Sequence, residues 1–166
     1  LEVGYTFDQY DKSDYQVLYK NDVRDYSNVQ HNVHALYNYT FNEKHTLTVG
    51  ADYLRDYLMS YQFTDNANYI MHTADAFGQF DWNPTERLNV IAGLRFDYFS
   101  ESNVRHLSPH LGMMYKIGNC SLRGSYSQGF RSTTLKEMYM VFNMANMLMI
   151  YGNPDLKSET SHNFSV

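Results

Sequence analysis

The sequence of 166 residues lacks the features that mark several common protein classes. Its single cysteine, Cys120, allows neither an internal disulfide nor a cysteine pair for a metal. No run approaches the roughly 18 to 20 consecutive apolar residues that a membrane helix needs, which excludes transmembrane helices. Lysine and arginine number 13 against 18 acidic residues, and the resulting net charge of -5 disfavours nucleic acid as a partner.

Aromatic residues, by contrast, are abundant. Sixteen tyrosines, ten phenylalanines and one tryptophan make up 16% of the chain, a composition that is not typical of disorder. The mean hydropathy is -0.53, yet the alternating strands of a membrane barrel also average to a polar value. Mean hydropathy therefore does not exclude a transmembrane β-barrel.

Apolar and polar residues alternate with a period of two along much of the chain. The clearest case lies within 87–98, where the apolar stripe is Leu88, Val90, Ala92, Leu94, Phe96 and Tyr98. The same alternation recurs within 33–41, 47–53, 74–82, 111–117 and 122–126. Because successive side chains of a strand point to opposite faces, the pattern predicts strands with one apolar and one polar face.

The connections between these strands differ in length at the two ends. We predict strands near 1–9, 14–24, 29–42, 45–62, 71–83, 87–100, 106–118, 120–131 and 159–166. Short turns fall at 42–45, 83–86 and 118–119, and longer connections at 64–70, 100–106 and 132–157. This is the pattern of an antiparallel up-and-down transmembrane β-barrel segment of about eight to nine long strands, with short periplasmic turns and long extracellular loops. A small closed barrel and a soluble β-sandwich are the alternatives.

The long connection 132–157 holds the candidate binding residues. The predicted ligand-binding residues are Arg131, Lys136, Tyr139 and Tyr151, and the predicted loop-ordering residues are Glu137, Asn153 and Asp155. The loop is also rich in methionine, whose flexible thioether adapts to irregular apolar ligands. The alternative is structural: residues 138–150 pack the loop against the wall as a hydrophobic cluster or short helix, and both cations pair with Glu137 and Asp155.

The sequence shows no catalytic constellation, so we expect a non-enzyme without a cofactor or a metal site of its own. The seven histidines are scattered. His106 and His110 share a strand face and could point into a lumen, where they would serve either as ligands for haem or a chelate or as ordinary polar lining. Cys120 has no basic neighbour to activate it, which favours a small apolar role.

Three motifs near the end of the chain carry a family resemblance. The segment 129–139, Gly-Phe-Arg-Ser-Thr-Thr-Leu-Lys-Glu-Met-Tyr, resembles the Gly-Phe-Arg-Ala-Pro-Ser-Leu-Lys-Glu-Leu-Tyr segment of TonB-dependent outer-membrane receptors. The segment 152–161 is similar to that family's Gly-Asn-Pro-Asp-Leu-Lys-Pro-Glu-Thr-Ser, and 107–112 to its Ser-Pro-Arg-Leu-Gly. Ser132 and Thr133 replace Ala-Pro, and Ser158 replaces a proline.

The resemblance implies a portion of an active transporter in the outer membrane of a Gram-negative cell. Residues 1–166 would form an interior part of a 22-stranded barrel, and we expect the plug domain and the signal peptide to lie outside this chain. The implied partners are outer-membrane lipid, a TonB-type energy transducer acting through the plug, and a ligand of the ferric siderophore, haem or cobalamin class. Haem importers of this family carry a histidine between the two loop motifs, and residues 131–153 contain none.

Overall fold

Eight long strands form one antiparallel sheet in which almost every strand lies beside its sequence neighbours. The computed structural model describes residues 1–42, 44–63, 67–144 and 147–166. In spatial order the strands are β1 (Glu2–Gln16), β2 (Asn21–Phe41), β3 (His45–Ser60), β4 (Asn68–Thr85), β5 (Leu88–Phe99), β6 (Val104–Ile117), β7 (Cys120–Arg131) and β10 (Glu159–Ser165). The predicted antiparallel up-and-down architecture is confirmed, and the sheet is open, with β1 and β10 at its edges.

The connection between β7 and β10 contains its own small elements. Helix α1 (Leu135–Tyr139) comes first, and the short strands β8 (Val141–Met144) and β9 (Leu148–Tyr151) then pair as a separate hairpin. The alternation analysis did not predict this helix, since its single turn is too short to produce a helical stripe. Within the described residues, no helix has the length and apolar character to cross a membrane.

The first three predicted strands are in fact two. Residues 10–13 and 25–28, which fell between the predicted strands, lie inside β1 and β2, and the true turn, Val17–Lys20, lies within the predicted strand 14–24. This turn places Lys20 at a φ of 48° and contains no glycine, proline or asparagine, so nothing in its composition marks it. A register shift between Lys12 and Ser13 absorbs an irregularity without ending the strand.

Two other connections are shorter than predicted. The predicted loop 100–106 is the four-residue turn 100–103, because β6 begins at Val104 and Asn103 supplies a positive φ of 49°. Strand β4 continues to Thr85 through an irregular pairing after Trp82, so the predicted turn at 83–86 moves to 86–87. In the predicted connections 64–70 and 42–45, residues 64–66 and 43 lie outside the described residues.

Register keeps the two faces of the sheet chemically distinct. One face, here called the outer face, carries apolar rows that run straight across the strands, for example Ala35, Ala51, Ala76, Phe96 and Leu107. The opposite or inner face carries polar rows, for example His34, Asp52, Asp75, Asp97 and His106. The alternation predicted within each strand is therefore in phase across the sheet.

The inner face compensates its buried carboxylates with one arginine. Arg95 lies 3.0 Å from an oxygen of Asp75 and 2.9 Å from an oxygen of Asp97, and both carboxylates are almost completely buried. A buried charge is tolerated only when it is paired and hydrogen-bonded. Arg95 therefore allows two aspartates on adjacent strands to occupy the same row of the inner face.

Gly118 provides a test of the tightest hairpin. It has a φ of 59° and occupies the first position of the two-residue turn between Ile117 and Cys120, the type II′ geometry that favours glycine. We expect Gly118→Ala to lower the free energy of unfolding by about 1 kcal/mol because of backbone strain alone. A Cβ at Gly118 would meet no atom within 4 Å, so packing would not contribute.

The matched control is Gly124→Ala on β7. Gly124 has an ordinary strand φ, and a Cβ there would lie 3.9 Å from its nearest neighbour, the carbonyl oxygen of Ser165. We expect this change to be neutral or slightly stabilising. Denaturant unfolding in detergent micelles measures both variants, and equal stability of the two would contradict the assigned turn geometry.

Candidate functional site

The candidate site lies at the end of the sheet where the connection between β7 and β10 crosses the inner face. Helix α1 begins this crossing with a capping box. The hydroxyl of Thr134 accepts from the backbone N–H of Glu137 at 3.3 Å, and a carboxylate oxygen of Glu137 accepts from the backbone N–H of Thr134 at 2.9 Å. The Thr-x-x-Glu spacing at 134–137 is the sequence signal for this helix start.

Apolar side chains pack α1 against the inner face of the sheet near β3. Leu135 and Met138 are 2% exposed, and Leu135 packs with Leu58 of β3 and Phe63 of the following connection. Tyr26, Tyr69, Met71 and Tyr139 pack around this cluster. By strand alternation, Tyr26, Leu58, Tyr69 and Met71 belong to the inner face. The connection therefore leaves β7 and reaches across the inner face to β2, β3 and β4.

Tyr139 is held from two sides. Its ring stacks on the ring of Tyr69 with centroids 3.9 Å apart and planes within 5°. Its hydroxyl donates a hydrogen bond of 2.6 Å to the carboxylate of Glu101 in the turn between β5 and β6. This bond, together with partial burial, raises the pKa of Tyr139 to about 12. Tyr139 thus links its own connection to strand β4 and to the turn between β5 and β6.

The two cationic residues that were predicted to bind a ligand, Arg131 and Lys136, both have partners within the chain. Arg131 forms an ion pair with Glu137 and lies 3.5 Å from Glu159. The ammonium of Lys136 lies 4.9 Å from the ring centroid of Tyr26, a cation–π arrangement. Among the described residues, Asp155 makes no ion pair, and its backbone N–H donates to the side chain of Asn153 at 2.9 Å.

Main-chain hydrogen bonds connect the base of the β8–β9 hairpin to α1 and to the connection between β3 and β4. The N–H of Val141 donates to the carbonyl of Gln62 at 2.6 Å, and the N–H of Asn153 donates to the carbonyl of Glu137 at 3.0 Å. Gly152 is required between them, because a Cβ there would lie 2.6 to 2.7 Å from the backbone of Met138 and Met140. The hairpin therefore leaves from a fixed base.

The outer part of this hairpin presents apolar surface to solvent. Met147 is 83% exposed and Tyr151 is 68% exposed, and Leu148 and Met149 are also exposed. The side chain of Met144 and residues 145–146 lie outside the described residues. The methionine-rich stretch is thus divided: Met138 is a buried packing residue, whereas Met147 and Met149 are exposed to solvent.

The structure separates the residues that the sequence grouped as ligand-binding. Arg131, Lys136 and Tyr139 are engaged in contacts that position the connection, and Tyr151 is the open member of the four. The sequence analysis missed Tyr26, Tyr69 and Glu101, which complete this arrangement from other strands and turns. The described residues contain no group of three histidine, cysteine or carboxylate side chains placed to hold a metal.

A comparison with protein families identifies the family of this chain. The family model described as TonB dependent receptor-like, beta-barrel, matches residues 1–166. No curated protein matches the chain. Solved structures match in fold at low sequence identity, and the chain spans between a quarter and a third of their length.

Three of these solved structures are named as siderophore or ferric enterobactin receptors. The siderophore receptor PirA of Pseudomonas aeruginosa has a TM-score of 0.73 and 17% identity over 84% of this chain and 27% of its own. PirA of Acinetobacter baumannii gives 0.64 and 20% over 98% and 28%. The ferric enterobactin receptor PfeA of Pseudomonas aeruginosa, in complex with enterobactin, gives 0.66 and 14% over 98% and 28%.

Removing the carboxylate of Glu137 tests how the connection is held. We expect Glu137→Gln to loosen α1, because the change removes the ion pair with Arg131 and weakens the capping box. Hydrogen–deuterium exchange of residues 135–139 should become about five-fold faster, for a loss of roughly 1 kcal/mol. Glu159→Gln is the control, since Glu159 is more exposed and more distant from Arg131. Equal exchange in the two variants would contradict this role.

The same contacts predict a pH dependence of the connection. The pKa of Glu137 is lowered, first by the hydrogen bond from the backbone of Thr134 and then by Arg131. A lowered folded-state pKa means that the stabilisation is complete at neutral pH and is lost as pH falls through the acidic range to below that pKa. The protection of residues 135–139, which is their exchange rate relative to the intrinsic amide rate at each pH, should therefore fall on acidification in the wild type. Glu137→Gln should show a smaller fall in protection, and the same pH profile of protection in both proteins would contradict the assignment.

Proposed function

The chain belongs to the TonB-dependent receptor β-barrel family, and from this premise we propose that it is part of an outer-membrane active transporter for a large, scarce nutrient. The match of the family model to all of residues 1–166 is the observation that carries the proposal. Import would use energy from a TonB-type transducer, acting through a plug domain encoded elsewhere in the full receptor. Outer-membrane lipid would surround the barrel, and the chain would have no enzymatic role.

A ferric siderophore is the ligand class that we favour. The solved structures that resemble this chain are named as siderophore receptors, and one of them is in complex with enterobactin. Similarity of fold does not by itself identify a ligand. The absence of histidine from residues 131–153 also disfavours haem, since haem importers of the family carry a histidine there. Cobalamin and haem serve as comparison ligands.

The residues of the connection between β7 and β10 would divide into two roles, ligand contact and positioning. Tyr151, Met147 and Met149 offer an aromatic ring and two thioethers on a hairpin with a fixed base, which suits contact with a large, irregular ligand. Arg131, Lys136 and Tyr139 would act as positioning residues, since each already has a partner within the wall. Glu137, Asn153 and Asp155 would order the connection around them.

Ligand titration of the full-length receptor in detergent tests this proposal. The probes are a panel of ferric siderophores that includes ferric enterobactin, together with haem and cobalamin, and binding is followed by intrinsic fluorescence and by ligand absorbance. We expect saturable binding of one ferric siderophore. Tyr151→Ala should weaken it about ten-fold, as truncation of an aromatic contact residue typically does.

Tyr19→Ala is the matched control, since Tyr19 is 76% exposed but lies in the turn between β1 and β2. It should bind as the wild type does. Unchanged affinity in Tyr151→Ala would remove Tyr151 from the ligand site. Binding of haem or cobalamin alone would overturn the siderophore assignment, and failure of every probe would overturn the chelate class.

A further inference from the structure

The carboxylates of the central strands are confined to one face of the sheet. Strands β3 to β6 contain five carboxylates, and by alternation all of them lie on the inner face: Asp52, Asp56, Asp75, Asp81 and Asp97. The outer face of the same strands carries two charged residues, Arg55 and Arg105, and both are cations. A chain with a net charge of -5 thus has a purely cationic charge on this part of its apolar face.

Three basic side chains lie side by side on the outer face. His31 of β2 is paired directly with Arg55 of β3, and Arg55 is paired directly with His72 of β4. Because neighbouring strands are about 4.8 Å apart, the row spans about 10 Å. We call His31, Arg55 and His72 the outer basic row. On β2 the next carboxylate of this face, Asp25, lies six residues beyond His31.

The row has donors available for an external group. In the part of the chain that the structure describes, Arg55 has no carboxylate partner. Tyrosine hydroxyls occupy one nitrogen of each histidine: Tyr5 bonds Nδ1 of His31 and Tyr53 bonds Nδ1 of His72, each at 2.7 Å. When the hydroxyl donates to Nδ1, the ring proton resides on Nε2. Each histidine is then oriented by its tyrosine and keeps an Nε2–H donor for another acceptor.

The position of the row matches one boundary of a membrane. Toward the short turns, the outer face of β2 is apolar or aromatic from Val33 to Phe41. The distance from His31 to Phe41 is about 33 Å along the strand. At the usual strand tilt this is about 25 Å along the barrel axis, the height of the apolar band of an outer-membrane barrel. The outer basic row therefore lies at headgroup level in the leaflet on the side of the long connection.

We propose that the outer basic row binds phosphate groups of lipid headgroups in that leaflet. A phosphate presents several anionic oxygens, and the row presents one guanidinium between two imidazoles in register. Arg105, which lies 5.7 Å from the ring centroid of Tyr98, extends the cationic surface toward β6. This proposal rests on the membrane placement of the barrel and is independent of which nutrient the receptor imports.

The test uses the full-length receptor purified in detergent and titrated with phosphatidic acid, with native mass spectrometry to measure bound lipid. Uncharged diacylglycerol is the comparison lipid. We expect Arg55→Gln to bind phosphatidic acid about five-fold more weakly. Arg55→Lys should retain most of the binding, because it keeps the charge. Binding of diacylglycerol should be the same in all variants.

Arg123→Gln is the matched control, because Arg123 is a cation of β7 on the inner face. It should bind phosphatidic acid as the wild type does. The proposal is overturned if Arg55→Gln binds phosphatidic acid as tightly as Arg123→Gln does. It is also overturned if inorganic phosphate at equal concentration displaces the lipid, since the row would then be a general anion site.

Discussion

Strand register is the constraint on which the rest of this structure depends. The side-chain period of a strand is two, so a slip of one residue at any pairing would exchange the two faces of every following strand. The four successive pairings from β2 through β6 keep the row of Ala35, Ala51, Ala76, Phe96 and Leu107 on one face. The same pairing brings Asp75 and Asp97 close enough to share Arg95. The apolar face, the polar face and the surface that receives the long connection all follow from this phase.

The connection between β7 and β10 adds an element that no single strand specifies. Its capping box is local, but its apolar anchor, Leu135, packs against Leu58 of a strand that is four positions away in the sheet. Tyr139 reaches Glu101 in another connection, and Val141 reaches Gln62 in a third. This end of the sheet is therefore organised by contacts that the connections make. The candidate ligand surface consists of the residues that those contacts leave exposed.

The sequence predicted features whose causes are local and missed those whose causes are distant. Alternation predicted the two faces, because each residue's face depends only on its own strand. The chemistry of Gly118-Asn119 predicted a turn that the structure contains. The turn at Lys20 was missed, since Val17–Lys20 contains no glycine, proline, asparagine or aspartate to mark a turn. The stacking of Tyr139 on Tyr69 was also inaccessible, because no spacing along the chain relates residues 70 positions apart.

The length of this one connection has a consequence for the entropy of folding. Most strand pairs are joined by a few residues, so each pairs with little loss of chain entropy, whereas β10 is separated from β7 by about 27 residues. Closing such a loop costs about 2 kcal/mol more than closing a two-residue turn. The packing of Leu135, the ion pair of Arg131 and the base of the β8–β9 hairpin reduce the length of unconstrained chain between the two strands. The structured connection thus offsets part of the entropy that pairing β10 with β7 costs.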